Sequence, residues 1–336
     1  MTDPRGNDRH DHHDGHGASH GVSADADGRW LTLALGLIVA FMAGEVVVGV
    51  LAHSLALISD AAHMLTDAGS IALALVAMRL AARPARGGFT YGLKRAEILS
   101  AQANGLTLML LSVWLAYEAV RRLITPPDVT GGLVLATALV GVAVNLVATW
   151  CLSKANRRSL NVEGAFQHIL TDLFGFIATA IAGVILLTIG FARADALASL
   201  IVVALMVNAG AGLIRKSGRI FLEAAPVGID PDTLGDRLAA HDQVVEVHDL
   251  HVWQITSGQP ALSAHVLVQP GSDCHAVRRD LEHLLLEDYA IAHSTLQVDH
   301  PPTEVLTITT KGHATKAAPH CADPHGPVRP TDPQGQ

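Results

Sequence analysis

Apolar residues run in six long stretches, at roughly 30–51, 55–78, 98–120, 132–153, 163–190 and 195–214. Each can supply the ~20 apolar residues that a bilayer-spanning helix needs. Short polar joints separate them, and the basic residues in those joints are unevenly placed. One set of flanks holds Arg29, then Arg79, Arg83, Arg86, Lys94 and Arg95, then Lys154, Arg157 and Arg158, then Arg215, Lys216 and Arg219. The opposite flanks hold only Arg121, Arg122 and Arg193. Basic residues stay on the cytoplasmic side, so both chain ends are expected there.

Beyond residue 221 the pattern changes. Asp230-Pro231-Asp232 reads as an N-cap, a first-turn proline and an acidic first turn, and predicts a short helix to about His241. Val244–Ile255 and Ala261–Gln269 alternate as strands around the turn Ser257-Gly258-Gln259-Pro260. A helix near Ala276–Asp288 and a strand near Ser294–Asp299 complete an αββαβ order, a small α+β unit. The predicted fold is a polytopic α-helical membrane protein with six transmembrane helices and a C-terminal α+β cytoplasmic domain. Its predicted divisions are a tail over 1–28, a membrane domain over 29–221, a cytoplasmic domain over 222–302 and a tail over 303–336. The first tail holds His10, His12, His13, His16 and His20, and the second holds His313, His320 and His325. Neither can bury a core, so both are expected to be disordered. Weak metal capture is the functional reading of the first, against a merely solvated tail.

Composition agrees with the membrane reading. The 336 residues are 50% hydrophobic and 16% charged, with a mean hydropathy of +0.34, where soluble proteins carry about 25% charged residues. Cys151, Cys274 and Cys321 form no CxxC pair, which argues against a disulfide framework or a Cys-type zinc finger. The net charge of −8 offers no basic patch for nucleic acid. The N-terminus lacks the basic-then-apolar pattern of a cleaved signal. Without long loops or targeting signals, the expected location is a bacterial inner (plasma) membrane.

Two apolar stretches each contain an HxxxD motif: His63-Met64-Leu65-Thr66-Asp67 and His168-Ile169-Leu170-Thr171-Asp172. Residues i and i+4 share a helix face, so each pair offers an imidazole nitrogen and a carboxylate oxygen to one point. Two such helices supply the four N and O ligands that tetrahedral Zn²⁺ takes, and Co²⁺ suits the same set. Ionisable groups inside a membrane mark transport or proton routes. Zn²⁺ binding needs neutral His and ionised Asp, so loading expels protons. Asp60 precedes His63 by three residues and shares its face, as a pathway or proton group or as a bond to a neighbour. Glu45, Asn104, Asn145 and Asn208 read as polar glue between helices.

Longer stretches carry a family resemblance. His53-Ser-Leu-Ala-Leu-Ile-Ser-Asp60-Ala-Ala-His63-Met-Leu-Thr-Asp67, Phe89-Thr-Tyr-Gly-Leu-Lys-Arg-Ala-Glu97-Ile-Leu, Val247-His248-Asp249-Leu250-His251-Val252-Trp253, Ile255-Thr-Ser-Gly258 and Leu262-Ser-Ala-His265 occur in the order found in cation diffusion facilitators. From about residue 29 to 301 the chain resembles that family. The resemblance implies a homodimer, a metallochaperone-like cytoplasmic domain, and export of Zn²⁺ (with Co²⁺ and Cd²⁺ as further substrates) in exchange for protons by alternating access. It places the transported metal on His63, Asp67, His168 and Asp172. It also implies regulatory zinc ligands at His248, His265, His275 and His300, with Asp299 a rival to the last. His251, near Trp253, reads as structural. The loop from Arg79 to Ala96 has five basic residues and no His, Asp, Glu or Cys, so a second metal site that some relatives carry there is not expected. A passive channel and a non-transporting metal sensor are the rival functions. A metalloprotease would need HExxH, and Met64 and Ile169 stand where its Glu would be.

Overall fold

The computed structural model describes residues 24–51, 55–125, 131–155, 159–191, 193–301 and 326–330. Six long helices come first: α1 (Ala24–Leu51), α2 (Leu55–Ala81), α3 (Ala96–Ile124), α4 (Gly131–Ser153), α5 (Leu160–Ile189) and α6 (Ala194–Phe221). Among the described residues, four stretches are long and apolar enough to cross a membrane: Ala96–Ile124, Leu135–Ser153, Leu160–Ile189 and Ala196–Phe221. Many large apolar side chains on these helices, such as Leu110, Val113, Leu187 and Ile201, point outward. That is the surface a lipid solvent calls for. A backbone bonded within each helix suits the same solvent. The helix α6 continues past the apolar run through Arg215, Lys216 and Arg219. Basic side chains favour the negative end of the helix dipole, so the helix outlasts its membrane-compatible part.

The bundle core is built from small and branched residues. Leu31, Ile38, Met64, Ile71, Leu152, Val162, Phe166 and Ile169 form one buried cluster. Leu108, Val202, Met206 and Leu213 form a second between α3 and α6. There the backbones nearly touch: a Cβ on Gly210 would sit 3.0 Å from the Gly105 carbonyl oxygen. Small residues let membrane helices approach this closely.

The remaining elements are α7 (Pro231–Ala239), β1 (Val244–Thr256), β2 (Gln259–Val268), α8 (Cys274–Tyr289), β3 (His293–Asp299) and β4 (Arg329–Pro330). The αββαβ order is thus present, with one addition. Residues 329–330 lie in the stretch expected to be disordered, yet they pair with Glu246 and Val247 at the free edge of β1. Arg329 anchors them by bonding Asp232 and Asp236 across Gly235. The sheet order is β3-β2-β1-β4, antiparallel except for β2 with β3. Leu234, Leu238, Val247, Leu262, Val266, Val277 and Leu281 fill the core between sheet and helices. Both α7 and α8 start on an aspartate cap: Asp230 accepts from Thr233 N–H, and Asp273 from His275 and Ala276 N–H. These bonds hold both carboxyls below their ordinary range, with the Thr233 hydroxyl the larger cause at Asp230 and the Ala276 amide at Asp273.

The two halves meet through the basic loop before α3 and the β1–β2 turn. Lys94 Nζ donates to Gln259 Oε1 at 2.7 Å, and Arg95 pairs with Glu223 at 3.2 Å. The Leu160 amide at the start of α5 donates to Ser257 Oγ at 3.3 Å. The His-rich segments 1–23 and 302–325 lie outside the described residues.

Candidate metal centre

Helices α2 and α5 pack side by side in opposite directions. That places Asp67 of one against His168 of the other. His168 Nε2–H donates to Asp67 Oδ1 at 2.6 Å, and the same nitrogen lies 4.0 Å from Asp172 Oδ2. Asp67 and His168 are buried, and Asp172 keeps 9% of its side chain exposed. One ligand atom from each lies within 4.8 Å of the other two. His168 Nδ1 has no hydrogen-bond partner among the described residues. His63 lies on α2 one turn before Asp67, and Asp60 three residues earlier. Their side chains, like that of Glu45, lie outside the described residues.

Three donors in a low-dielectric setting, two of them carboxylates, have the chemistry that a cation site needs. Zn²⁺ takes N at 2.0–2.1 Å and carboxylate O at 2.0–2.2 Å, so neighbouring tetrahedral donors stand about 3.4 Å apart. The observed 2.6 and 4.0 Å bracket that spacing. Side-chain shifts of under about 1 Å would fit an ion.

The cytoplasmic half holds a second cluster. His248 and His265 are direct partners across β1 and β2, with ring centroids 5.3 Å apart. The register slips between His248 and His251, and Asp249 takes a positive φ of 49°. In a regular strand neighbouring residues face opposite sides. The bulge instead brings Asp249 Oδ2 to 3.6 Å from His265 Nδ1. His248, Asp249 and His265 thus gather their ligand atoms within 4.8 Å. His248 also pairs with Glu246 at 2.9 Å. The sequence reading missed Asp249. Its signal was an acidic residue between two strand histidines where alternation calls for an apolar one.

The other two predicted cytoplasmic ligands sit elsewhere. His275 is exposed on the first turn of α8. His300 lies past the end of β3, where its Nε2–H donates to the Ser272 carbonyl at 3.1 Å and its Nδ1 is 3.5 Å from Cys274 Sγ. Asp299, its rival, pairs with Leu267 in the β2–β3 register, while His265 pairs with Gln297. The structure therefore divides the four predicted histidines into a His248–His265 pair and two residues at the start of α8 and the end of β3. His251 is exposed beside the inter-domain cleft. Among the polar groups expected to bridge helices, Asn145 bonds its own helix at the Gly141 carbonyl, and Asn208 is exposed on α6.

Comparison with known proteins gives two family matches, the cation efflux transmembrane domain over residues 31–222 and the cation efflux protein cytoplasmic domain over residues 226–301. The chain is 35% identical over 285 residues to a cadmium, cobalt and zinc/H(+)-K(+) antiporter of Bacillus subtilis, covering 83% of this chain and 91% of that protein. It is 35% identical over 293 residues to zinc transporter ZitB of Escherichia coli, covering 87% and 93%. It is also 35% identical over 280 residues to metal cation efflux system protein CzcD of Cupriavidus metallidurans, covering 82% and 88%. With its apolar helices, the chain is a multi-pass membrane protein.

Proposed function

The chain belongs to the cation efflux family, a family of transporters and not enzymes, and from that premise we propose that it exports Zn²⁺ from the cytoplasm in exchange for protons. Co²⁺ and Cd²⁺ are further substrates, in line with the name of the Bacillus relative. The observation that carries this reading is the buried trio Asp67, His168 and Asp172, drawn from two helices at one point inside the bundle. His63 completes the transport site as its fourth ligand, one turn from Asp67. Asp60 lies on the same face and takes part in the ion or proton path.

The protein works as a homodimer with six spans per subunit, both ends in the cytoplasm of a bacterial inner membrane. The membrane domain covers 29–221, the cytoplasmic domain 222–302, and the tails 1–28 and 303–336 flank them. His248, Asp249 and His265 bind a regulatory zinc, whose mass-action stabilisation of the assembled form raises transport when cytoplasmic zinc is high. His275 and His300 contribute less directly, since they stand outside that cluster.

The donor set supports exchange. Zn²⁺ needs a neutral imidazole with a free lone pair and ionised carboxylates. The proton on His168 Nε2, now shared with Asp67, must leave before that nitrogen binds metal. A site open to the cytoplasm loads metal and releases protons, and a site open outward does the reverse. Zn²⁺ flux into proteoliposomes under an imposed pH gradient tests this, with His63→Ala and Asp172→Ala beside the wild type. Proton-dependent flux lost in both variants is the expected result. Flux that survives both changes overturns the site, and flux indifferent to the gradient overturns the exchange.

A further inference from the structure

Several buried polar groups near the transport site are not used by it. On α2, Ser70 and the Ala74 carbonyl lie three and seven residues past Asp67. On α3, Ser100 and Asn104 lie three and seven past Glu97. On α5, Asn161 and Gly164 lie seven and four before His168. These spacings keep each set on one helix face. The three faces meet. Asn161 Nδ2 donates to the Ala74 carbonyl at 2.7 Å, the Asn161 amide donates to the Glu97 carboxylate, and Asn104 Nδ2 stands 3.5 Å from where a Gly164 Cβ would be. The Asn161–Ala74 contact is seven residues from the His168–Asp67 contact on both helices, a separation of about 10 Å. One polar column therefore leads from the loop end of α3 and α5 to the metal donors.

Packing accounts for only part of it, the Asn161–Ala74 bond between α5 and α2. Ser100, Asn104 and Asn161 are exposed by 2%, 1% and 0%. Ser100 Oγ, Asn104 Nδ2 and Asn161 Oδ1 find no hydrogen-bond partner among the described residues. A polar group that glues helices is bonded to the neighbour it holds, and leaving it unbonded is costly. Asn104, read from sequence as glue, has its amide hydrogens unspent. A hydroxyl, an amide oxygen and an amide N–H spaced along a track are partners for water and for a hydrated cation. The loop end of the track is closed. The Glu97 carboxylate accepts from the Ser159 hydroxyl, and the Thr256 hydroxyl lies 3.4 Å from Glu97 and 3.2 Å from the Lys94 carbonyl. Next to it Ser257 Oγ accepts the Leu160 amide.

We propose that Ser70, Ser100, Asn104 and Asn161 line the route by which a hydrated divalent cation reaches the Asp67–His168–Asp172 site from the cytoplasm, and that Glu97 with the Thr256–Ser257 turn is its gate. The proposal rests on the export reading above. In it the β1–β2 turn caps the helix that carries half of the transport site, and Glu97 is the first carboxylate the ion meets.

The test is thiol labelling in inside-out vesicles, with the native Cys151, Cys274 and Cys321 replaced and zinc flux retained. Ser100→Cys and Asn104→Cys are exposed to a small, charged, membrane-impermeant methanethiosulfonate, with outward-facing Leu106→Cys as control. Both track positions are expected to react, Leu106→Cys is not, and added Zn²⁺ slows the reaction. Adding Thr256→Val and Ser257→Ala is expected to speed labelling about tenfold, since bonds at a charged group are lost. Labelling of both track positions no faster than that of Leu106→Cys overturns the route. A rate unchanged by the turn substitutions overturns the gate. Unlabelled track positions beside flux that depends on Asp172 sink the route alone. Labelled positions beside flux that survives Asp172→Ala sink the transport site and leave the aqueous track standing.

Discussion

Replacing Asp67 with Asn separates the fold from the metal chemistry. The side chain keeps its shape, and its amide oxygen still accepts the His168 Nε2–H that the carboxylate accepts at 2.6 Å. The helix contact should survive, and so should the melting temperature in detergent. What is lost is an anionic oxygen that would move to about 3.4 Å from its neighbours around an ion. Four-ligand zinc sites bind with about 10–16 kcal/mol. One ligand in four is then worth about 3 kcal/mol, or about a hundredfold in affinity. Zinc titration against a competing chelator measures this, in a His265→Ala background that silences the cytoplasmic cluster. The expected result is a weakening of about a hundredfold with an unchanged melt. An affinity within about threefold of the background protein would refute the placement of Asp67 at the ion.

Three further outcomes follow from other parts of the molecule. Gly210→Val drives a branched side chain into the Gly105 carbonyl and Met109. It should lower stability in detergent by about 1–3 kcal/mol while the folded fraction still binds zinc at the transport site. His265→Ala should remove the cytoplasmic zinc from the bound-metal count and abolish the extra rise of flux at high zinc, while flux at low zinc remains, because the membrane site is untouched. Asp273→Asn keeps a capping side chain and removes its charge. The Ala276 and His275 amides hold the Asp273 carboxyl below its ordinary range, so its charge stabilises the fold above the unfolded value of about 3.9 and ceases to as pH falls through the lower folded value. The variant should melt below wild type at neutral pH, and the gap should close below about pH 4.

What the sequence disclosed followed the range of the forces involved. The His168–Asp172 pair was readable because i and i+4 meet on any helix, whatever surrounds it, while the His63 side chain of the other pair lies outside the described residues. The caps at Asp230 and Asp273 are equally local, and the first was read. The strand over Ala261–Gln269 was legible from its alternation, and Leu262, Ala264, Val266 and Val268 on it lie in the core. Asp249 escaped because a bulge is set by the partner strand, not by the residues that bulge. The β4 pairing escaped because two residues show no period, and its anchor is an ion pair with residues almost a hundred positions away. Asn104 shows a similar limit. A polar residue in an apolar run looks like helix glue from sequence, and only the neighbouring helices reveal that its Nδ2 finds no partner among the described residues.

The geometry of Asp67 and His168 also bears on why the protein should carry rather than conduct. Three buried ionisable groups without an ion are costly unless they satisfy one another. The direct His168–Asp67 bond does that, and the proton it uses occupies the nitrogen that metal would need. At the proposed transport site ion and bond therefore exclude each other, and each loading event would swap one for the other. The bond also ties α2 to α5. An ion would tie them at a spacing nearer 3.4 Å, so the two occupied states differ in helix spacing as well as in charge. A pore passes ions by keeping its sites weak and its path continuous. Here the bonded form holds a proton between two of the donors, and the polar column beside it ends at the Glu97–Ser159–Thr256 contacts. On the proposed route, opening that end and breaking the Asp67–His168 bond both precede loading. Flux through such a site saturates and follows the proton gradient, the kinetic signature that separates a carrier from a channel.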